Sequence, residues 1–202
     1  METETYTNVY TLVKALSGNT SFTSEEDTLV NSFINRRIYD AYRRFERWPR
    51  YLKLGEARAA TDGVIPFAQE TLSSIDTFLR VYAEAPYSVN SVQEYDFTVT
   101  VDGAKVIGDY ESATTFYVDY KKRLDGPFNS TTNTSIPIEF SKYASYGAYA
   151  DFLRYDEQHA KAQVEDANAE QVLLLELRSA MAQSNNRNAG MRIRSHHTAQ
   201  SR

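Results

Sequence analysis

The residues best suited to chemistry are few. His159 is the only histidine outside the C-terminal tail, and it follows Asp156 and Glu157 in the run "DEQH". An imidazole beside two carboxylates is the material of a general-base pair or a divalent metal site. Such a metal site needs three or four converging ligands, and the sequence offers a simpler account: Asp156 as a helix N-cap, Glu157 favourable to the helix dipole, His159 solvated. Glu25, Glu26 and Asp27 read in the same way, as first-turn charges. His196 and His197 fall in a tail too irregular to preorganise a catalytic group. There is no cysteine, so disulfides, thiolate metal sites and thiol nucleophiles are excluded. No phosphate-cradling glycine loop, dinucleotide fingerprint or nucleophile elbow occurs. The expectation is a protein with no catalytic residues, no metal and no cofactor.

The stretch "INRRIYDAYRRFERWPRYLKLGEAR", residues 34–58, concentrates arginine, aromatic side chains and the single tryptophan. It could serve nucleic acid, a membrane surface or another protein. A net charge of −5 and a pI near 5.3 argue against general DNA binding, whose affinity comes from neutralised phosphates. Against a membrane surface, Asp40 and Glu46 interrupt the basic face, and the apolar stripe is needed to close a helical bundle. No run approaches the roughly 20 apolar residues of a span, and the N-terminus lacks the features of a signal peptide. The expectation is synthesis in a cytoplasm. Arg36, Arg43, Arg44 and Arg47, with Trp48, suit a docking face, since arginine pairs bidentately with carboxylates and interfaces favour arginine and aromatics. A nucleic-acid-binding regulator using Arg36 to Arg50 and the basic tail is the alternative.

The elements that must position these residues are legible in outline. Val9, Leu12, Val13 and Leu16 recur at helical spacing before Gly18, a C-cap residue. Thr23 and Glu26 form a capping box, and the helix behind it carries Val30, Phe33, Ile34, Ile38, Ala41, Tyr42 and Phe45 on one stripe. Pro49 ends it. The period then changes: "YLKLGEARAA", "GVIPFA", "IDTFLRVYAE" and "TTFYVDYKK" read as strands. "YDFTVTVDGAKVIG" reads as a hairpin with Asp102 and Gly103 in a type I′ turn. Residues 127–137 read as a polar linker. Helices return with Phe140, Tyr143, Ala144, Gly147, Asp151 and Arg154 on one row. Ala160, Val164, Ala167, Gln171 and Leu174 form the apolar row of the next helix. "SNNRNAGMRIRSHHTAQSR" reads as extended or disordered. The fold class expected is α+β: mainly a bundle of two N-terminal and two C-terminal helices, about 5–48 and 138–183. A small antiparallel β-sheet or hairpin region is inserted at about 51–122. Together these make a single domain over 1–183, followed by a flexible, extended basic tail, 184–202.

The helix pair running into Trp48-Pro49 resembles the head–tail connector (adaptor, or head-completion) proteins of tailed bacteriophages. "FLRVYAEAPYS" is similar to the family's strand ending in an acidic-x-Pro turn, and "VDGAKVIGDYESATTFYVDYKKRLDGPF" to its hairpin and aromatic strand. "IPIEFSKYASYGAYADFLRYDEQHAKAQVEDANAEQVLLLEL" resembles its closing helix pair. The likeness covers roughly residues 5–183 and departs from the simplest adaptors, which are all-helical. It implies a structural virion protein at the capsid vertex or neck, without catalysis, forming a ring of about twelve copies by head-to-tail contact. Its partners would be copies of itself, the portal protein and a stopper or other tail or neck protein. Genomic DNA would pass through the lumen without sequence-specific binding, and no membrane is involved. Arg187, Arg192, Ile193 and Arg194 are the portal contacts this implies, with Asp102 and Gly103 facing the tail side or the adjacent subunit. Another neck component, a stopper or tail terminator, is a further alternative.

Overall fold

The computed structural model describes residues 2–86, 92–108, 110 and 115–183 with their side chains, and the backbone alone at 184–199. In chain order the elements are β1 (Thr3–Thr5), α1 (Tyr6–Ser17), α2 (Ser24–Arg43), β2 (Leu52–Ala59), β3 (Val64–Pro66), β4 (Ile75–Tyr82), β5 (Glu94–Val99), β6 (Gly103–Ile107), β7 (Thr115–Lys122), β8 (Ser135–Pro137), α3 (Ile138–Tyr155) and α4 (His159–Ala199). The chain divides into two compact units, Met1–Phe45 with Asp125–Arg202, and Glu46–Leu124.

In the first unit α3 is the hub, packing against α1, α2 and α4. Its composition explains why. Ala144, Gly147, Ala148 and Ala150 keep its surface low, so that neighbours approach from several sides, while Phe140, Tyr143, Phe152 and Leu153 fill the gaps. Ser141 and Ser145 are buried and return their hydroxyls to the carbonyls of Ile138 and Ser141. α1 starts where Thr5 accepts a hydrogen bond from the Asn8 N–H and stops at Gly18, whose φ of 72° is left-handed. It buries Tyr6, Val9 and Val13 but leaves Leu12 outside. α2 opens with the capping box of Thr23 and Glu26, both bonds made, and buries Val30, Ile34, Ile38, Ala41 and Tyr42. Val30, Ile34 and Ile38 each contribute about 1.5–3 kcal/mol through removal from water. The segment read as a linker ends in β8, which pairs with β1 in register from Thr3↔Pro137 to Thr5↔Ser135.

The second unit is a six-stranded sheet in the order β2-β7-β4-β5-β6-β3, each pair antiparallel. One face gathers Ile65, Ile75, Phe78, Val81, Ala104, Val106, Phe116, Val118 and Tyr120 into a core. On β4 the core residues stand three apart because two register shifts against β7, between Ile75 and Thr77 and between Phe78 and Arg80, each add a residue. A bulge of this kind returns a side chain to the face it left. Across β7 the opposite face is buried as well, at Asp119 and Lys121.

Three expectations are corrected. The β region is not a small hairpin inserted into a helical bundle but a six-stranded sheet forming a unit of its own. Each strand of this sheet is legible as a segment; pairing between strands distant in sequence, such as β7 between β2 and β4, is not carried by local periodicity. The extended tail is replaced by the continuation of α4 to Ala199, since no proline interrupts the run beyond residue 183. And α2 stops at Arg43, before Pro49, with the Arg44 N–H closing onto Asp40 and Ala41. Proline fixes only the furthest point a helix can reach.

Candidate functional site

The arginines of residues 34–58 fall into separate settings. Arg37 is buried, its Nε and Nη2 both 2.8 Å from the Asp151 carboxylate and its guanidinium over the Tyr143 ring. Arg36, half exposed, reaches the same carboxylate at 2.6 Å, and Arg154 adds a third contact at 2.8 Å before bonding Asp166 of α4 at 2.7 Å. Arg37 also lies 2.8 Å from Asp166 Oδ1, as an ion pair without the alignment of a hydrogen bond. Burial by itself lifts the Asp151 carboxyl, but the hydrogen bonds and charge of Arg37, then of Arg36, outweigh it and hold it below the usual carboxylate range. Gly147 makes room for this: a Cβ there would stand 2.8 Å from Arg37 Cδ. Arg44 forms a fork with Glu170 of α4 at 2.7 and 2.8 Å. The arginine face is therefore largely turned to internal use, tying α2 to α3 and α4. Arg43 is exposed, and Arg47 and Trp48 belong to the sheet unit, where Trp48 is buried at 2% exposure and presents no surface to a neighbour.

The hairpin residues are placed differently from expectation. Thr100 N–H bonds the Gly103 carbonyl at 2.8 Å, and Val99 pairs with Ala104, so the turn is centred on Val101 and Asp102 rather than on Asp102 and Gly103. Gly103 has a φ of 150°, and a Cβ there would meet the Ile65 carbonyl oxygen at 2.0 Å. Its glycine character admits β3 alongside β6. Asp102 is exposed, and Val101 beside it is 93% exposed, an apolar residue at the point of the hairpin. The backbone of Arg187, Arg192, Ile193 and Arg194 lies on α4; their side chains are outside the described residues.

α4 carries the largest surprise. Its inward face is Ala162, Ala169, Leu173 and Ala180, with Asp166 and Glu170 meeting the arginines. The row Ala160, Val164, Ala167, Gln171 and Leu174, expected to be the packed one, faces solvent, and Arg178 and Met181 extend it. Val164 is 59% exposed and Leu175, on its flank, 58%. Sequence reasoning chose the wrong row because both repeat at alternating spacings of three and four. The counter-charges were the available signal: Asp166 and Glu170 share a face with Ala169 and Leu173, and arginines of α2 need partners.

Elsewhere the chemistry is structural. Asp156 caps the end of α3 rather than the start of α4, Glu157 takes a left-handed φ of 58°, and His159 opens α4, exposed. Among the described residues no group of histidine and carboxylate side chains is placed to hold a metal ion, and no helix is long and apolar enough to cross a membrane. In the sheet, Arg58 is wholly buried, its Nη2 shared by Glu56, the Ser73 carbonyl and the Tyr120 hydroxyl. Burial and then the Glu56 carboxylate push the Tyr120 phenol up to about 12. No protein-family model matches the chain, and no curated protein matches it by sequence.

Proposed function

We propose that this chain is a structural, non-catalytic subunit of the head–tail connector of a tailed bacteriophage, working by docking against copies of itself, the portal and a neck or tail protein. The observation that carries the docking part is α4: one face is packed inside its unit while the opposite face presents Val164, Leu174, Leu175 and Met181 to solvent. A helix that is apolar on both sides is one made to be covered on both sides. The connector assignment adds to this the order of sequence features from Trp48-Pro49, which follow α2, to the Ala-rich closing helix. In an acidic chain, Arg36, Arg37, Arg44 and Arg154 are paired with Asp151, Asp166 and Glu170, which leaves fewer cations of this region for phosphate and disfavours a nucleic-acid regulator.

The test is capture by the portal protein of the phage that encodes the chain, beside a DNA gel shift at moderate salt. Portal-dependent capture, with the chain found in the neck of purified virions, is the expected result. A salt-sensitive DNA shift without portal capture would replace the connector reading with the regulator.

A further inference from the structure

We infer that, in the free protein, the outward face of α4 is covered by the α4 of a second copy, lying antiparallel. This rests on the docking reading above and names the occupant of the face that carries it. The exposed row Ala160, Val164, Ala167, Gln171, Leu174, Arg178 and Met181 alternates spacings of four and three throughout. That is the 3.5-residue repeat of a two-helix seam, sustained for about 33 Å of helix.

Direction follows from size and charge. In a parallel pair each residue of the row would stand opposite itself, so that Arg178 would meet Arg178. In an antiparallel pair crossing between Gln171 and Leu174, no residue of the row stands opposite its own copy. Ala167 comes opposite Arg178, leaving space for the long side chain, and Val164 comes opposite Met181. The seam is thus better matched to its own reverse than to itself in register.

A pairing of this type is isologous: it closes on two copies and cannot propagate into a ring. It therefore belongs to the chain before assembly, where it removes the apolar row from water, and it must be given up if that row is needed by the portal or a neighbour. One helix pair is small beside a standard interface of about 1,600 Å², so the dimer should be concentration-dependent.

The absence of cysteine makes the test clean. Gln171→Cys and Ala160→Cys are each treated with a short bis-maleimide at tens of micromolar protein, and the intact chain is sedimented in parallel. Expected are a mass of about 46 kDa, twice the 23.0 kDa chain, strong linking at position 171 and at least tenfold weaker linking at 160, where antiparallel copies are far apart. Leu175→Glu, on the exposed flank, should return the mass to that of one chain with unchanged helix content. Equal linking at both positions would show a parallel pair, and a single-chain mass at every concentration would show none; either overturns the inference. Portal capture by the Leu175→Glu chain is scored separately, so loss of the dimer with capture retained leaves the connector reading standing.

Discussion

Asp151 decides how the arginine-rich helix is used. Its carboxylate lies among Arg36, Arg37 and Arg154, with only 4% of its side chain exposed. Arg37 is nearly as buried, with 10% of its side chain exposed. Asp151→Ala removes both carboxylate hydrogen bonds of that guanidinium and leaves it the Asp166 ion pair and the Tyr143 hydroxyl, and breaking a buried pair in this way costs about 3–5 kcal/mol. Urea unfolding followed by helix signal should show a loss of that size, whereas Arg43→Ala, at an exposed position, should change little. The sign with pH is fixed by the direction of the shift. A carboxyl held below its unfolded value stabilises the fold above that unfolded value and loses the contribution as pH falls through the folded one. The gap in melting temperature between the native chain and Asp151→Asn should be constant near neutrality and close progressively below about pH 4. A gap that persists unchanged into strong acid would mean that the pair stabilises nothing.

At the level of elements, Gly103 shows how a correct residue can be noticed for the wrong reason. Asp-Gly is a hairpin signal, yet the glycine is needed because the Ile65 carbonyl would be 2.0 Å from any Cβ. Gly103→Ala must push β3 from β6, uncoupling Ile65 from the core of Phe116, Val118 and Val106. A loss above the 1–3 kcal/mol typical of overpacking is expected because backbone, not a yielding side chain, is in the way. Asp102→Asn, at the exposed turn, should be neutral in the same unfolding assay. If the two variants unfold alike, the turn and not the close approach explains the glycine. The wider pattern of what was legible is similar. Capping at Thr23 and Gly18, the α3 row and each strand segment of the sheet could be read, because they follow from local spacing. The bulges of β4, the β1–β8 ladder, the sheet order and the packed face of α4 could not. Each depends on a partner remote in sequence, and for α4 two equally spaced rows competed. Of the candidate docking residues, the exposed Asp102 and Arg43 remain available at the surface, while Trp48 and the arginines paired with α3 and α4 went to the interior or to internal ties.

For the molecule as a whole, the question is whether docking can be separated from folding. A ring built head to tail joins two different patches of one chain, and the α4 seam, being matched to its own reverse, is suited to pairing with itself. On the connector reading proposed above the second patch lies elsewhere, and among the described residues the large apolar side chain with the highest exposure is at the hairpin point: Val101 is 93% exposed, with Val99 and Ile107 more than half exposed on the strands behind it. Val101 makes no contribution to the sheet core, so Val101→Asp should alter stability by no more than about 0.5 kcal/mol, the range of ordinary surface substitutions. If the hairpin seats on an adjacent subunit or a tail protein, the same substitution places a charge where an apolar residue was to be buried, beside the existing Asp102. Assembly on the portal should then fall at least tenfold while the Gln171→Cys cross-link of the free chain is unaffected. Measured together, unchanged unfolding, an intact α4 pair and lost assembly would assign the hairpin to docking. Assembly at the native level would remove the hairpin from the interface and leave α4 as the surface on which the connector proposal has to stand.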